Sequence, residues 1–162
     1  MNIYQYALKL EKESESYYNE LISKTSDVGL QTILKMLADE EVKHFRIIEK
    51  MMENDACPKC AESDILKNSK NIFMKIKGKK FTFDFHSTQA DFYRKAVEFE
   101  KKSYKNYLEM SEQVEDEAKK KLLLKLADEE KKHMFLIENL VDFVSRPETW
   151  IENAEFNHLD EY

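Results

Sequence analysis

Glu41-Val42-Lys43-His44 and Glu130-Lys131-Lys132-His133 stand 89 residues apart, and the same shift lays Glu11 on Glu100. On an α-helix, a glutamate and a histidine three positions apart share a face, so each Glu-x-x-His can aim a carboxylate and an imidazole at one point. Two such pairs with two further carboxylates form the donor set of a two-metal carboxylate site inside a four-helix bundle. The motifs belong to a longer repeat. Aligned without a gap, Ala7–Glu49 and Ala96–Glu138 are identical at 17 of 43 positions, and duplication is the simplest origin.

These side chains need helices to position them, and the apolar stripes supply four. The first, about Ile3–Lys24, places Tyr4, Ala7, Leu8, Tyr18 and Ile22 on the stripe of Glu11. The second, about Leu30–Glu53, puts Leu34, Leu37, Ala38, Phe45, Ile48 and Met52 on the face of Glu41 and His44. The third, about Thr88–Gln113, opens after a Ser/Thr cap and carries Tyr93, Ala96, Val97, Tyr104 and Tyr107 beside Glu100. The fourth, about Asp116–Val144, carries Leu123, Leu126, Ala127, Met134, Ile137 and Val141 with Glu130 and His133. Short links make each successive pair an antiparallel hairpin. An all-α bundle over residues 1–146 follows, with a long crossover, 54–87, between its second and third helices. After Gly78 the crossover alternates apolar and polar residues, which admits a small strand or hairpin. Trp150, Ile151, Phe156 and Leu159 make 147–162 a tail apolar enough to dock on the bundle or on a partner subunit.

The stripe decides what the glutamates are for. With Glu41 at the centre of its face, Leu34, Leu37, Ala38, Phe45 and Ile48 flank it. The same arithmetic buries Glu11, Glu100, Glu130 and His133. Four carboxylates in an apolar interior cost several kcal/mol each without compensation. Cations supply it, and these residue types are the ones hard or borderline metals choose; protonation or carboxylate–histidine pairing is the alternative. Tyr18 and Tyr107, seven residues after Glu11 and Glu100, can donate to a ligand carboxylate or serve as core tyrosines with satisfied hydroxyls. Asp39-Glu40 and Asp128-Glu129 point away from the centre of the face and read as surface residues in preference to ligand supports. Glu15 leans inward as an extra ligand or proton relay.

Composition narrows the setting. Charged residues at 36% and hydrophobic ones at 42%, with two Gly and two Pro, suit long amphipathic helices. A net charge of −6 without a basic face gives no footprint for nucleic acid. No apolar run reaches membrane length, and Met1–Tyr6 lacks a basic segment followed by an apolar one, so a cytoplasmic location is the expectation. The two cysteines, Cys57 and Cys60, form one Cys-x-x-Cys. Two ligands cannot close a tetrahedral site, so the pair would hold zinc or iron only when shared between subunits. It otherwise cycles between dithiol and disulfide, or is a relic turn.

Glu11, Glu41-x-x-His44, Glu100 and Glu130-x-x-His133, one set per helix, resemble the ferritin-like di-iron carboxylate pattern. Ala7-Leu-Lys-Leu-Glu11-Lys-Glu-Ser14 and Ala38-Asp-Glu-Glu-Val-Lys-His44 are most similar to the rubrerythrin family. The resemblance covers all four helices. It implies a ferritin-like four-helix bundle and two iron ions bridged by Glu41 and Glu130. Glu11 and Glu100 would then be terminal, with His44 and His133 one per iron. It also implies a non-haem protein of the oxidative-stress response that reduces hydrogen peroxide to water with electrons from a rubredoxin-like donor. Two departures stand out. Rubrerythrins commonly carry a further Glu three residues after the third-helix ligand, where this chain has Ser103, matched by Ser14. Rubrerythrins proper also end in a rubredoxin domain, and residues 147–162 contain no cysteine. Ferroxidase or iron-handling chemistry with oxygen, or a non-catalytic bundle stabilised by metal, are the alternatives. The crossover and tail offer apolar surface beyond one bundle's needs, so at least a homodimer is expected. The near-equivalence of the halves predicts equal weight for His44 and His133.

Overall fold

The computed structural model describes residues 1–53, 58–77 and 87–145. Five helices occupy them: α1 (Ile3–Lys24), α2 (Val28–Met52), α3 (Ile65–Lys77), α4 (Ser87–Gln113) and α5 (Glu117–Ser145). No strand occurs among the described residues, and no helix there is long and apolar enough to cross a membrane. The tail at 147–162, Cys57 and the alternation after Gly78 lie outside the described residues.

Local chemistry sets the helix ends. Asn2 caps α1 in a capping box, accepting from Gln5 N at 2.8 Å while Gln5 Oε1 accepts from Asn2 N at 3.0 Å. Asp27 accepts from Leu30 N at 2.8 Å and starts α2. Its repeat mate Asp116 accepts from Ala118 N and Lys119 N and starts α5. The two three-residue links this leaves, Thr25–Asp27 and Val114–Asp116, fold α1 onto α2 and α4 onto α5. Across the bundle, α1 runs antiparallel to α4, since Tyr17 Oη reaches Phe92 O at 2.7 Å while Tyr107 reaches back to Glu11.

Two apolar clusters result, one at each end. The first joins the end of α1, the start of α2, the start of α4 and the end of α5 through Leu21, Leu34, Leu37, Ala96, Ile137 and Phe143. The second joins the opposite ends through Ala7, Ile48, Met51, Tyr107, Leu123 and Leu126. Duplicated positions fall in opposite clusters: Leu34 and Leu123, Leu37 and Leu126, Ile48 and Ile137. The two halves are thus related by a pseudo-two-fold axis that exchanges the ends. On α2 the buried methionine is Met51; Met52, expected on the inner face, is 37% exposed.

The crossover is not merely extended. Its described part contains α3, which buries Ile65, Ser69 and Phe73, residues four apart on one face, and Ile65 and Phe73 join the first cluster. Phe73 meets Phe143 edge to face at 5.5 Å. The stretch Ile72–Lys77, adjoining the expected hairpin, is helical, with Phe73 on the face set by Ile65 and Met74 turned outward. Phe73→Ala should destabilise the protein by about 3–5 kcal/mol in urea denaturation, while Met74→Ala on the exposed side of α3 should change it by about 0.5 kcal/mol or less. Equal effects would mean that α3 does not hold this position in solution.

Candidate metal centre

Between the two apolar clusters lies a layer of ionisable groups. Glu11 on α1, Glu41 and His44 on α2, Glu100 on α4, and Glu130 and His133 on α5 are each no more than 1% exposed. Every glutamate and histidine singled out by the repeat is in this layer. Their atoms form two sets: Glu11, Glu41, His44 and Glu130, and Glu41, Glu100, Glu130 and His133. Within each set, one potential ligand atom from every residue lies within 4.8 Å of the others. Glu41 and Glu130 belong to both sets, so two neighbouring cations, one in each set, would share these two carboxylates.

The contacts repeat the pseudo-symmetry. His44 Nδ1 lies 2.8 Å from Glu130 Oε1 and 3.7 Å from Glu11 Oε2. His133 Nδ1 lies 3.0 Å from Glu41 Oε1 and 3.6 Å from Glu100 Oε2. The two imidazoles stack with centroids 5.6 Å apart and planes 10° from parallel. Tyr18 donates its hydroxyl to Glu100 Oε1, and Tyr107 donates to Glu11 Oε1. Each tyrosine therefore braces the glutamate of the opposite half, not the one on its own helix. Both phenols are pushed well above 10.0 by burial and the carboxylates, so they remain donors.

The layer fits divalent cations on the strength of its unmet atoms. Both oxygens of Glu41, Oε2 of Glu11, Glu100 and Glu130, and Nδ1 of His133 are buried without a hydrogen bond among the described residues. Apart from the 3.0 Å approach of Glu41 Oε1 to His133 Nδ1, these buried oxygens face one volume unmet, a cost that a cation accepting their lone pairs would remove. Glu15 is elsewhere: its side chain is 21% exposed and pairs with Lys12 at 2.9 Å, so the extra-ligand role does not hold.

Glu40 and Glu129, expected on the surface, are part of the surroundings. Glu40 Oε2 lies 2.7 Å from His133 Nε2, the nitrogen facing away from the two sets. Glu129 is 1% exposed and accepts from Ser63 N at 3.2 Å. Angles measured from Glu41 turned both residues outward. Measured from the histidines they stand four positions earlier, about 40° around the helix, and so on the histidines' own flank.

The protonation pattern reflects crowding. Burial pushes Glu41 and Glu130 well above the usual carboxylate value, and the neighbouring carboxylates push them further. Burial acts the same way on Glu100, but its contacts with Glu130, His133 and Tyr18 outweigh it and bring the group to about 2. Glu40 is likewise brought to about 2, against burial, by His133 and Ser63. Burial disfavours the charged form of His133, yet Glu100, Glu130 and Glu40 raise it well above 6.5.

The family model for the ferritin-like domain matches residues 1–143, and the chain belongs to that family. No curated protein and no solved structure matches it. The buried carboxylate–histidine layer is compatible with the di-iron site of this fold.

Without metal, the titrating groups oppose one another. Glu40 and Glu100 contribute stability that is present above 4.5 and lost as pH falls towards about 2. Glu41 and Glu130, raised above 4.5, contribute stability that is complete below 4.5 and lost as pH rises; His133 behaves likewise above 6.5. Metal-free protein should therefore be most stable in mildly acidic solution and weaken through neutrality. Affinity for ferrous or manganous ion should rise over the same range, because ligands must lose protons to bind. Urea denaturation between about pH 4 and 8, with and without metal, checks both trends, and rising metal-free stability above neutrality would contradict the assignment.

Proposed function

We propose that this chain is a non-haem di-iron protein of the rubrerythrin kind that reduces hydrogen peroxide to water with electrons from an external donor. The observation that carries this reading is the pair of four-residue sets joined by Glu41 and Glu130. Oxygen-rich sets with one imidazole each suit iron or manganese better than softer metals. When bound, two ferrous ions would supply the two electrons that an O–O bond takes up on cleavage.

The protein's part is positioning. Glu41 and Glu130 would be shared by both ions, Glu11 with His44 and Glu100 with His133 would complete one side each, and Tyr18 and Tyr107 fix the carboxylates of Glu100 and Glu11 by donating to them. The apolar clusters above and below keep bulk water from the layer and strengthen its electrostatics. Reduction of one peroxide consumes two electrons and two protons and yields two waters, so the pair must be re-reduced from outside the site. A rubredoxin-like protein is the kind of donor that fits, and a homodimer in the cytoplasm is the setting we propose.

Glu41→Ala and Glu130→Ala should each lose both metals, whereas Glu11→Ala and Glu100→Ala should each lose one, as measured by metal analysis after equilibrium dialysis. Retention of two metals by Glu41→Ala would overturn the bridging assignment. Anaerobically reduced, iron-loaded protein should consume about one peroxide per metal pair and stop, then resume when reductant is added. Preference for oxygen, with a mineral core building up in a very large particle, would instead point to iron handling. A Cys57→Ser, Cys60→Ser double variant should keep the first turnover, since Cys60 Sγ faces Ala61 O at 3.6 Å and belongs to neither ligand set.

A further inference from the structure

The halves supply equivalent ligands, but the groups behind the two histidines differ. On the α5 side, His133 Nε2 meets Glu40 Oε2 at 2.7 Å, and the other oxygen of Glu40 accepts from Ser63 Oγ. On the α2 side, His44 Nε2 has no hydrogen-bond partner among the described residues. Repeat symmetry would assign Glu129 to it, since Glu129 is the mate of Glu40. Glu129 instead accepts from the Ser63 backbone N–H and lies 3.6 Å from Lys132 Nζ, leaving its Oε2 buried and unmet.

The cause is the crossover. Residues 60–63 lie across α2 and α5, tied down by Lys43 Nζ to Ala61 O at 2.9 Å, by Lys125 Nζ to Cys60 O, and by Lys132 Nζ near Glu62 at 3.7 Å. There is one crossover for two halves. A single segment lying over a pseudo-two-fold axis cannot present the same group to both sides, and here its hydroxyl goes to one glutamate and its N–H to the other.

We propose that Ser63, acting through Glu40, is a positioning residue that fixes the ring of His133 and makes the Glu41, Glu100, Glu130 and His133 set the first to take a divalent cation. This rests on the metal-centre reading above. A histidine held by a carboxylate at its far nitrogen has its tautomer and ring angle set before the metal arrives, and is the more basic ligand for it. His44 has no such partner at its far nitrogen, and its Nδ1 must give up the 2.8 Å hydrogen bond to Glu130 Oε1 to bind, so its set fills second. Ser63 Oγ also accepts from Ile65 N at 3.1 Å, which couples this support to the start of α3.

The test uses the full chain, stripped of metal and titrated anaerobically with cobalt(II), followed by calorimetry and visible absorption. The wild type should bind in two unequal steps, the first lost in His133→Ala and kept in His44→Ala. Ser63→Ala and Glu40→Gln should each weaken the first step by about 10- to 100-fold and leave the second nearly unchanged. Ser63→Thr, which keeps the hydroxyl, should restore it. Glu40→Gln leaves the bond from Ile65 N to Ser63 intact, so a deficit shared by both variants does not come from α3. Two equal steps in the wild type, or equal weakening of both steps in Ser63→Ala, would overturn the ordering while leaving the metal centre standing. Absence of any cobalt uptake by the wild type would overturn the metal centre itself.

Discussion

Four carboxylates buried at one level of a helical bundle are the constraint around which the rest of this chain is arranged. Moving each out of water carries a penalty of several kcal/mol after relaxation, and placing them within contact of one another adds repulsion. Burial and the neighbouring carboxylates push Glu41 and Glu130 well above the usual carboxylate range, in the direction this cost requires. Two tyrosine hydroxyls and two imidazoles offset part of it, but the orphaned oxygens of Glu41, Glu11, Glu100 and Glu130 show that protein groups alone do not complete the layer. The apolar clusters at either end then hold these groups together, because opening the bundle would expose both clusters at once.

Duplication explains how such a layer is built from few instructions. One helical hairpin brings three of these groups, a glutamate from its first helix and a Glu-x-x-His from its second, and cannot bury them alone. Two hairpins related by a pseudo-two-fold axis put the Glu-x-x-His pairs of α2 and α5 opposite each other, so Glu41 approaches His133 while Glu130 approaches His44. Sharing of Glu41 and Glu130 between the two sets is thus a consequence of the symmetry. The crossed tyrosines follow from it too: in an antiparallel α1/α4 pair, a residue two turns beyond a glutamate faces the glutamate of the other helix.

Most of this was legible in the sequence because it is periodic. The stripes containing Leu34, Leu37 and Ile48, or Leu123, Leu126 and Ile137, specify helix, face and neighbours together, and the six clustered glutamates and histidines sit on or beside those stripes. What escaped was aperiodic or depended on a choice of origin. Helix α3 was hidden because Ile65 and Phe73 occupy one narrow face of a short lysine-rich helix beside a stretch of alternating residues. Glu40 and Glu129 face outward when the helix is viewed from Glu41 and Glu130, and only their identity in both halves and their four-residue spacing from His44 and His133 carry the signal of their burial. Ser63 could not be read at all: it has no repeat mate, and its role depends on where the crossover lies.

Ser14 and Ser103 bear on the charge of the layer. Each stands three residues after Glu11 or Glu100, is 1% exposed and has a hydroxyl without a hydrogen bond among the described residues. The contacts of Tyr18 with Glu100 and of Tyr107 with Glu11 place the two serines midway along the α1/α4 seam, where a small side chain lets the helices approach. A glutamate at either position would bring a fifth negative charge to the layer. With four carboxylates and neutral imidazoles, two divalent cations leave no net charge, so serine keeps the balance closed and the two ends alike. The pressure towards inequivalence then comes from outside the ligand set, from the single crossover, where Glu40 is only 17% exposed and already committed to His133.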